Sequence, residues 1–245
     1  MSAARRVALV TGSARRIGAA IVRRLHAAGY DVAIHHRDSG EAASALAAEL
    51  ERARLGSSLL LQCDLADVER LPVLVEQTVQ RFGRLDALVN NASAFYPTPI
   101  GSATAAHWDE LFASNARAPF FLSQAAAPHL RMTGGAIVNL VDVHAERPLR
   151  GHAVYVMAKA ALATMTQALA LELAPLVRVN AVAPGAVLWP ESGKSEAAQA
   201  AVLAQVPLAR LGDPVEVAEA VRWLLMDAAY TTGQVIRVDG GRWLD

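Results

Sequence analysis

A single cysteine, Cys63, in 245 residues excludes an intrachain disulfide and leaves no thiolate cluster for a metal within one chain. The seven histidines are scattered and lack the spacings by which imidazoles share a zinc ion, so neither a metal site nor a metal hydrolase is expected. An excess of charge is missing too. The 23 basic and 23 acidic residues give a formal net charge of zero, and no basic patch forms along the chain, which removes the electrostatic case for nucleic acid or an anionic membrane. The long alanine-rich helical stretches carry Gln, Thr, Glu or Arg too often to read as bilayer spans. The first strand pattern begins within about six residues of the N-terminus, leaving no room for a signal peptide. A cytoplasmic protein acting on a small molecule is the expectation.

What is present is alternation. Short apolar runs at Val7–Val10, Asp31–His35, Ser58–Cys63, Ala87–Val89, Ala136–Val141, Val177–Val182 and Gln234–Val238 are separated by longer helical patterns. That order implies a doubly wound α/β domain with a parallel sheet and helices on both faces. No repeat, charge block or linker divides it, so residues 1–245 read as one domain. The main irregular stretch, Pro184 to about Val206, is broken by Pro190, Gly193 and Pro207 and contains a short helical pattern at Ser195–Ala204. It is expected to form a lid, or else an ordinary surface connection.

The first strand runs into Thr11-Gly-Ser-Ala-Arg-Arg-Ile-Gly18 and then an amphipathic stretch, Ala19–Ala28. Gly12 allows a tight turn and Gly18 close helix packing, while the helix N-terminus offers N–H groups to a pyrophosphate. Where a strict dinucleotide fingerprint has a further glycine, this chain has Arg15 and Arg16 before Ile17. At the end of the second strand an acid would hold an unphosphorylated ribose. Here the stretch reads His35-His36-Arg37-Asp38-Ser39, and with Arg15 and Arg16 nearby it favours the 2′-phosphate of NADPH, with His36, Arg37 and Ser39 as candidate contacts. Asp38 as a ribose acid is the competing assignment, and the histidines and Ser39 also fit a solvated loop.

Tyr155 and Lys159 lie four residues apart in the helical run Ala153–Glu172, so both project from one face. An ammonium near a phenol is expected to pull its pKa down from roughly 10, toward a value at which it delivers a proton. The spacing alone also suits an ordinary surface pair.

In order along the chain stand Thr11-Gly12 with Gly18, Asp64-Leu65, Asn90-Asn91-Ala92, Asn115 with Pro119-Phe120, Tyr155 with Lys159, Pro184-Gly185 and Asp239-Gly240-Gly241. With these the chain resembles the short-chain dehydrogenase/reductase family along nearly its whole length. The resemblance implies a Rossmann fold with a seven-stranded, mostly parallel sheet. It also implies that Asp64 and Leu65 meet the adenine, that Asn90, Asn91 and Ala92 line the cofactor cleft with Pro184 and Gly185, and that Lys159 binds the nicotinamide ribose. Asn115 would help hold a water of the proton relay. A homotetramer is implied, with the segments Asp142–Glu172 and Pro214–Asp245 at interfaces. For Asp64, capping the helix region Asp67–Arg81 is the alternative.

Thirteen residues before Tyr155, where the family usually has a serine that polarises a carbonyl, stands Asp142. A carboxylate accepts hydrogen bonds and repels a developing alkoxide, whereas an Asp/Tyr relay suits protonation of a ring nitrogen. Asp142 as a structural carboxylate in a degenerate enzyme is the alternative. Together with Ser93-Ala-Phe-Tyr96 and Tyr155-Val-Met-Ala-Lys159, the chain resembles the pteridine reductase subfamily. This implies a pterin between the nicotinamide and Phe95, hydrogen bonds from Ser93 and Arg16 to the pterin or to the cofactor phosphates, and Leu188 and Trp189 as walls. The substrate expected is a dihydropterin, with oxidised pterin and dihydrofolate as further candidates. Phe95 as core, Tyr96 as loop packing, and His144 and His152 as loop residues beside the site stay open. The rival readings are a carbonyl reductase for 3-oxoacyl or sugar substrates and an NADPH-sensing protein without turnover.

Overall fold

The seven apolar runs become the seven strands of one sheet. In the computed structural model, which describes residues 5–189, 193 and 195–244, these are β1 (Val7–Val10), β2 (Asp31–His36), β3 (Ser58–Gln62), β4 (Ala87–Asn90), β5 (Ala136–Leu140), β6 (Arg178–Pro184) and β7 (Val235–Val238). Every pairing is parallel, in the order β3-β2-β1-β4-β5-β6-β7. Chain order reverses between β1 and β4, and such a switch point opens a crevice at the carboxyl ends of the strands.

The helices are α1 (Arg16–Ala27), α2 (Gly40–Ala53), α3 (Leu71–Phe82), α4 (Ala105–Phe112), α5 (Ala118–Thr133), α6 (Ala153–Leu173), α7 (Glu196–Leu203) and α8 (Pro214–Met226). Most of them cover two large apolar cores, and smaller clusters form around Leu162 and around Leu111 and Val154. One large core gathers Val10, Ile21, Leu25, Ile34, Leu46 and Val221 under α1, α2 and α8, and the other gathers Leu9, Leu74, Leu88, Leu122, Leu130 and Leu169 under α3, α5 and α6. Because β1 alternates, Val10 faces one core and Leu9 the other, so the strand runs apolar throughout, as expected for a sheet buried on both faces.

By length and composition α6 is apolar enough to cross a membrane, against the expectation that polar residues disqualify the long helices. Half of its apolar window is buried inside the fold. Helix α1 starts earlier than its amphipathic pattern suggests, because Arg16 already belongs to it. Between α4 and α5 the residues Ala113–Arg117 form a π-helical turn, for which the sequence gives no signal. Pro190, counted among the breaks of the irregular segment, lies outside the described residues.

Candidate active site

The glycine turn is held by its neighbours. Gly12 adopts φ +58°, and a Cβ there would come within 2.7 Å of Ala92 Cα. A Cβ on Gly18 would meet Asn91 Nδ2 at 2.6 Å. Asn91 donates from Nδ2 to the carbonyls of Thr11 and Gly12, and the Thr11 hydroxyl accepts from the backbone N–H groups of Asn91 and Ala92. Asn90, by contrast, turns inward and donates to Asn139 Oδ1 at 2.8 Å. It is buried in the core and does not line the cleft, because alternation along β4 sends only one of the two asparagines to each side.

His35 is not a solvated loop residue. It is 2 % exposed, its Nδ1 accepts from Gly12 N at 3.0 Å and its Nε2 meets the Cys63 carbonyl at 3.1 Å. A carbonyl only accepts, so the ring is the neutral Nε2–H tautomer. Burial pushes its pKa down to about 4. His36 is buried as well, and its Nδ1 has no partner among the described residues.

Beside this turn opens a cavity of about 500 Å³ lined by Gly12, Arg15, Arg16, Ile17 and Gly18, by His36, Arg37 and Ser39, and by Asp64, Leu65, Asn91, Ala92 and Ser93. The cradle suits a dinucleotide. It has a bare glycine turn for phosphates, guanidinium groups, and an orphaned imidazole nitrogen at the β2 end. Asp38 and Arg37, both largely exposed, pair at 2.6 Å beside the cavity. Asp64 accepts from Ala66 N at 2.9 Å, while Asp67 precedes the short 3₁₀ turn before α3. Asp64 therefore shapes the turn at the cleft and caps no helix.

Tyr155 and Lys159 do share a face of α6, but their relation differs from the expected one. The Tyr155 hydroxyl donates to Asp142 Oδ2 at 2.7 Å, and Lys159 Nζ donates to the Leu140 carbonyl at 2.7 Å. Nζ lies 5.9 Å from the phenol ring centroid. Burial raises the Tyr155 pKa well above its ordinary value, and the Asp142 charge and hydrogen bond add to this, while a hydrogen bond with Ser93 opposes it. The expected lowering by Lys159 is thus overturned here, because the nearest charge is the carboxylate and the phenol keeps its proton. Lys159 is itself fully buried, and loss of hydration brings its pKa down to about 8, against the pull of Asp142.

Asp142 is fixed from its other side, where Oδ1 accepts from His144 N at 2.8 Å. The Ser93 hydroxyl donates to Asn115 Oδ1 at 2.7 Å, and Asn115 Nδ2 donates to the carbonyls of Ala94 and Leu111. Asn115 thereby fixes Ser93 close to Tyr155, an arrangement that no sequence spacing announces. The Asn115 side chain is fully engaged with protein partners, so it orients Ser93 and the 94 loop.

A second cavity of about 470 Å³ meets the first at Arg16, Ile17, Asn91 and Ser93. Its walls include Phe95, Asp142, Tyr155, Lys159, Pro184, Gly185, Leu188 and Trp189. Phe95 is half exposed, stacks on His152 at 4.8 Å and stands edge-on to Tyr155 at 4.8 Å, which excludes it from the core. Tyr96 turns away and donates to Glu110 at 2.9 Å, as loop packing. Arg16 donates to the Trp189 carbonyl at 3.2 Å, closing the rim between the two cavities. Sequence reasoning missed Leu149, Val202 and Gln205, which also reach this wall. Val202 lies in α7 and Gln205 just after it, and their side chains have no motif to mark them.

Over residues 12–242 the sequence matches the family described as enoyl-(acyl carrier protein) reductase, with Tyr155 and Lys159 side by side above a parallel sheet. The chain is a short-chain dehydrogenase/reductase. Pteridine reductase 1 of Leishmania tarentolae is 39% identical, the match covering 96% of this chain and 95% of that protein. The 3-oxoacyl-acyl-carrier-protein reductase FabG of Staphylococcus aureus is 36% identical, over 97% of this chain and 98% of its own. A putative ketoacyl reductase 2 of the granaticin polyketide synthase of Streptomyces violaceoruber is 38% identical, over 97% and 96%. As a short-chain dehydrogenase/reductase the protein is an oxidoreductase that uses a nicotinamide dinucleotide and acts on a small molecule.

Proposed function

We propose that this reductase uses NADPH to reduce pterins, taking dihydropterins to tetrahydropterins and accepting oxidised pterins and dihydrofolate in the same cavity. The observation that carries the reading is the 2.7 Å bond from Tyr155 to Asp142. A carboxylate beside the phenol disfavours a developing alkoxide and favours delivery of a proton to nitrogen. Arg15, Arg16, Arg37, His36 and Ser39 would hold the phosphorylated dinucleotide, Asp64 and Leu65 its adenine, and Lys159 the nicotinamide ribose. Bound there, it supplies a hydride.

The chain's own residues do the rest. Tyr155 keeps its proton because it is buried against Asp142, and gives it to the ring nitrogen as the neighbouring carbon is reduced. Asp142, only partly buried and in hydrogen-bond contact with the phenolate, takes up a proton from solvent water and passes it on, which restores the phenol and the carboxylate. Ser93, anchored by Asn115, stands close to the phenol at the cavity wall. Phe95, half exposed at the cavity mouth, offers a face to a flat heterocycle. Leu188 and Trp189 wall the same cavity, and α7, which brings Val202 to it, is the lid. The exposed apolar side chains Met157 and Leu171 on α6 and Val215 and Trp223 on α8 support burial of these helices in a homotetramer. The buried Cys63 thiol suits a reducing cytoplasm.

Reduction of a 3-oxoacyl thioester is the second reading, favoured by the ketoacyl reductases at 36% and 38% identity. Consumption of NADPH and of NADH by purified protein, offered dihydrobiopterin, biopterin, dihydrofolate and an acetoacetyl thioester, separates the two. Turnover of pterins with NADPH is the expected result. Turnover of the thioester alone makes the protein a carbonyl reductase, and tight NADPH binding with no turnover makes it a sensor.

A further inference from the structure

The catalytic cavity does not end at the pterin-sized space. A third cavity, of about 440 Å³, shares His144, Leu149, Gln205 and Arg242 with it and extends away from Tyr155 to Arg147 and Trp243. Beside the apolar Val143, Pro148 and Leu149, its polar lining consists of His144, Arg147, Gln205, Arg242 and Trp243. Among the described residues neither Arg147 nor Arg242 forms an ion pair, whereas the neighbouring Arg237 is neutralised by Glu146. The Trp243 indole N–H is buried with no acceptor. Arg147 is exposed and spends Nη1 on backbone carbonyls, whereas Arg242, partly buried at the junction and without an acidic partner among the described residues, favours an anionic oxygen ligand there.

The wall is built before any ligand arrives. Arg147 Nη1 donates to the Arg242 and Trp243 carbonyls at 3.1 and 3.0 Å. Asp239 accepts from Gly241 N and Trp243 N at 3.0 and 2.8 Å, and the Arg237 guanidinium lies 4.1 Å over the Trp243 ring. The C-terminal turn is thereby fixed with Arg242 at the junction of the two cavities.

We infer that this extension is a subsite for an anionic side chain of the substrate, a carboxylate or phosphate group carried at a distance from the reduced ring. The inference rests on the pterin reading above. It assigns Arg242 and Trp243 a part in selecting among substrates that share one ring.

The test is steady-state kinetics with NADPH and three dihydropterins: dihydrobiopterin with an uncharged side chain, dihydrofolate ending in carboxylates, and dihydroneopterin monophosphate. Wild type is compared with R242Q and W243F, after circular dichroism has verified that each variant is folded. At least one anionic substrate is expected to exceed dihydrobiopterin in kcat/KM. That preference falls about ten-fold in R242Q and about three-fold in W243F, through KM. Preference for dihydrofolate identifies the carboxylate, and preference for the monophosphate identifies the phosphate. Equal use of all three by wild type, or a loss in R242Q shared equally by all three, overturns the subsite while the pterin reading stands. If no pterin is turned over, both fall.

Discussion

At the dinucleotide half of the cleft, Thr11, His35 and Asn91 bond to backbone groups of the glycine turn and the adjoining strand ends, and the arginines ring its mouth. At the catalytic half, Lys159, Tyr155 and Asp142 crowd a cation, a phenol and a carboxylate into a place where Lys159 has a single protein acceptor among the described residues and Tyr155 leans on the carboxylate. The first half fixes geometry with neutral groups. The second holds charge out of water, and its pKa values move accordingly. Shape and chemistry are therefore separable by mutation.

The largest effect should come from the catalytic half. Y155F removes the proton donor and is expected to lower kcat about a thousand-fold while NADPH affinity, read by fluorescence titration, stays within about three-fold. D142S leaves the donor but removes the carboxylate that resupplies it, and pterin turnover should fall about a hundred-fold. If D142S retains pterin turnover, the carboxylate has no part in the relay and the contrast between the halves fails on the catalytic side.

At the dinucleotide half, H35A withdraws the acceptor of Gly12 N–H and the donor to Cys63 O. It should raise the KM for NADPH about ten-fold with little change in kcat, and cost roughly 2 kcal/mol of stability. The pH dependence has a definite sign. With a folded pKa of about 4 and an ordinary value of 6.5, His35 takes up its proton first in the unfolded chain, so wild-type stability declines as pH drops from about 6.5 to 4. Urea titrations across that range should show a shallower decline in H35A. An equal slope would show that the imidazole is not the neutral brace.

These contrasts were only partly legible in the residues themselves. The α/β alternation and the Tyr155/Lys159 face follow from periodicity, since helix geometry alone puts residues four apart together. Asp142 was legible as a departure from a pattern. The direction taken by Lys159 was not, because its acceptor, the Leu140 carbonyl, is set by where β5 ends relative to α6. Nor was the burial of His35. Two consecutive histidines at a strand end resemble a solvated loop until β3 covers them, and Asn90 and Asn91 part company only when β4 fixes which points inward. Ser93 reached Tyr155 through a loop and a π-helical turn, and local sequence encodes neither.

A smaller effect tests how much the catalytic half gives up to hold its charge. The Lys159 pKa of about 8 against 10.5 corresponds to about 3 kcal/mol of destabilisation while the ammonium persists. K159M removes that penalty but leaves the Leu140 carbonyl without its donor, at about 2 kcal/mol. Turnover should be lost, yet the melting temperature at pH 7 should rise by about 3 °C. The unfolded chain holds the extra proton between pH 8 and 10.5, so wild type gains stability over that interval and the advantage of K159M disappears. Thermal melts at pH 7 and pH 10 decide it, and a variant less stable than wild type at both would show that the buried ammonium is stabilising.

The smallest effect belongs to the seam where the halves meet. Arg16 adopts φ +55°, a left-handed conformation that costs a side-chain-bearing residue about 1 kcal/mol. It holds this while its guanidinium reaches the Trp189 carbonyl at 3.2 Å. R16G relieves the strain, and the greater freedom of glycine in the unfolded chain takes back about the same amount, so the melting temperature should move by less than about 2 °C. Loss of the cation at the junction should still raise the KM for NADPH about three-fold and narrow the preference over NADH. A clear gain in stability with unchanged cofactor preference would mean that Arg16 is strained for no functional return, and the seam would then belong wholly to the structural half.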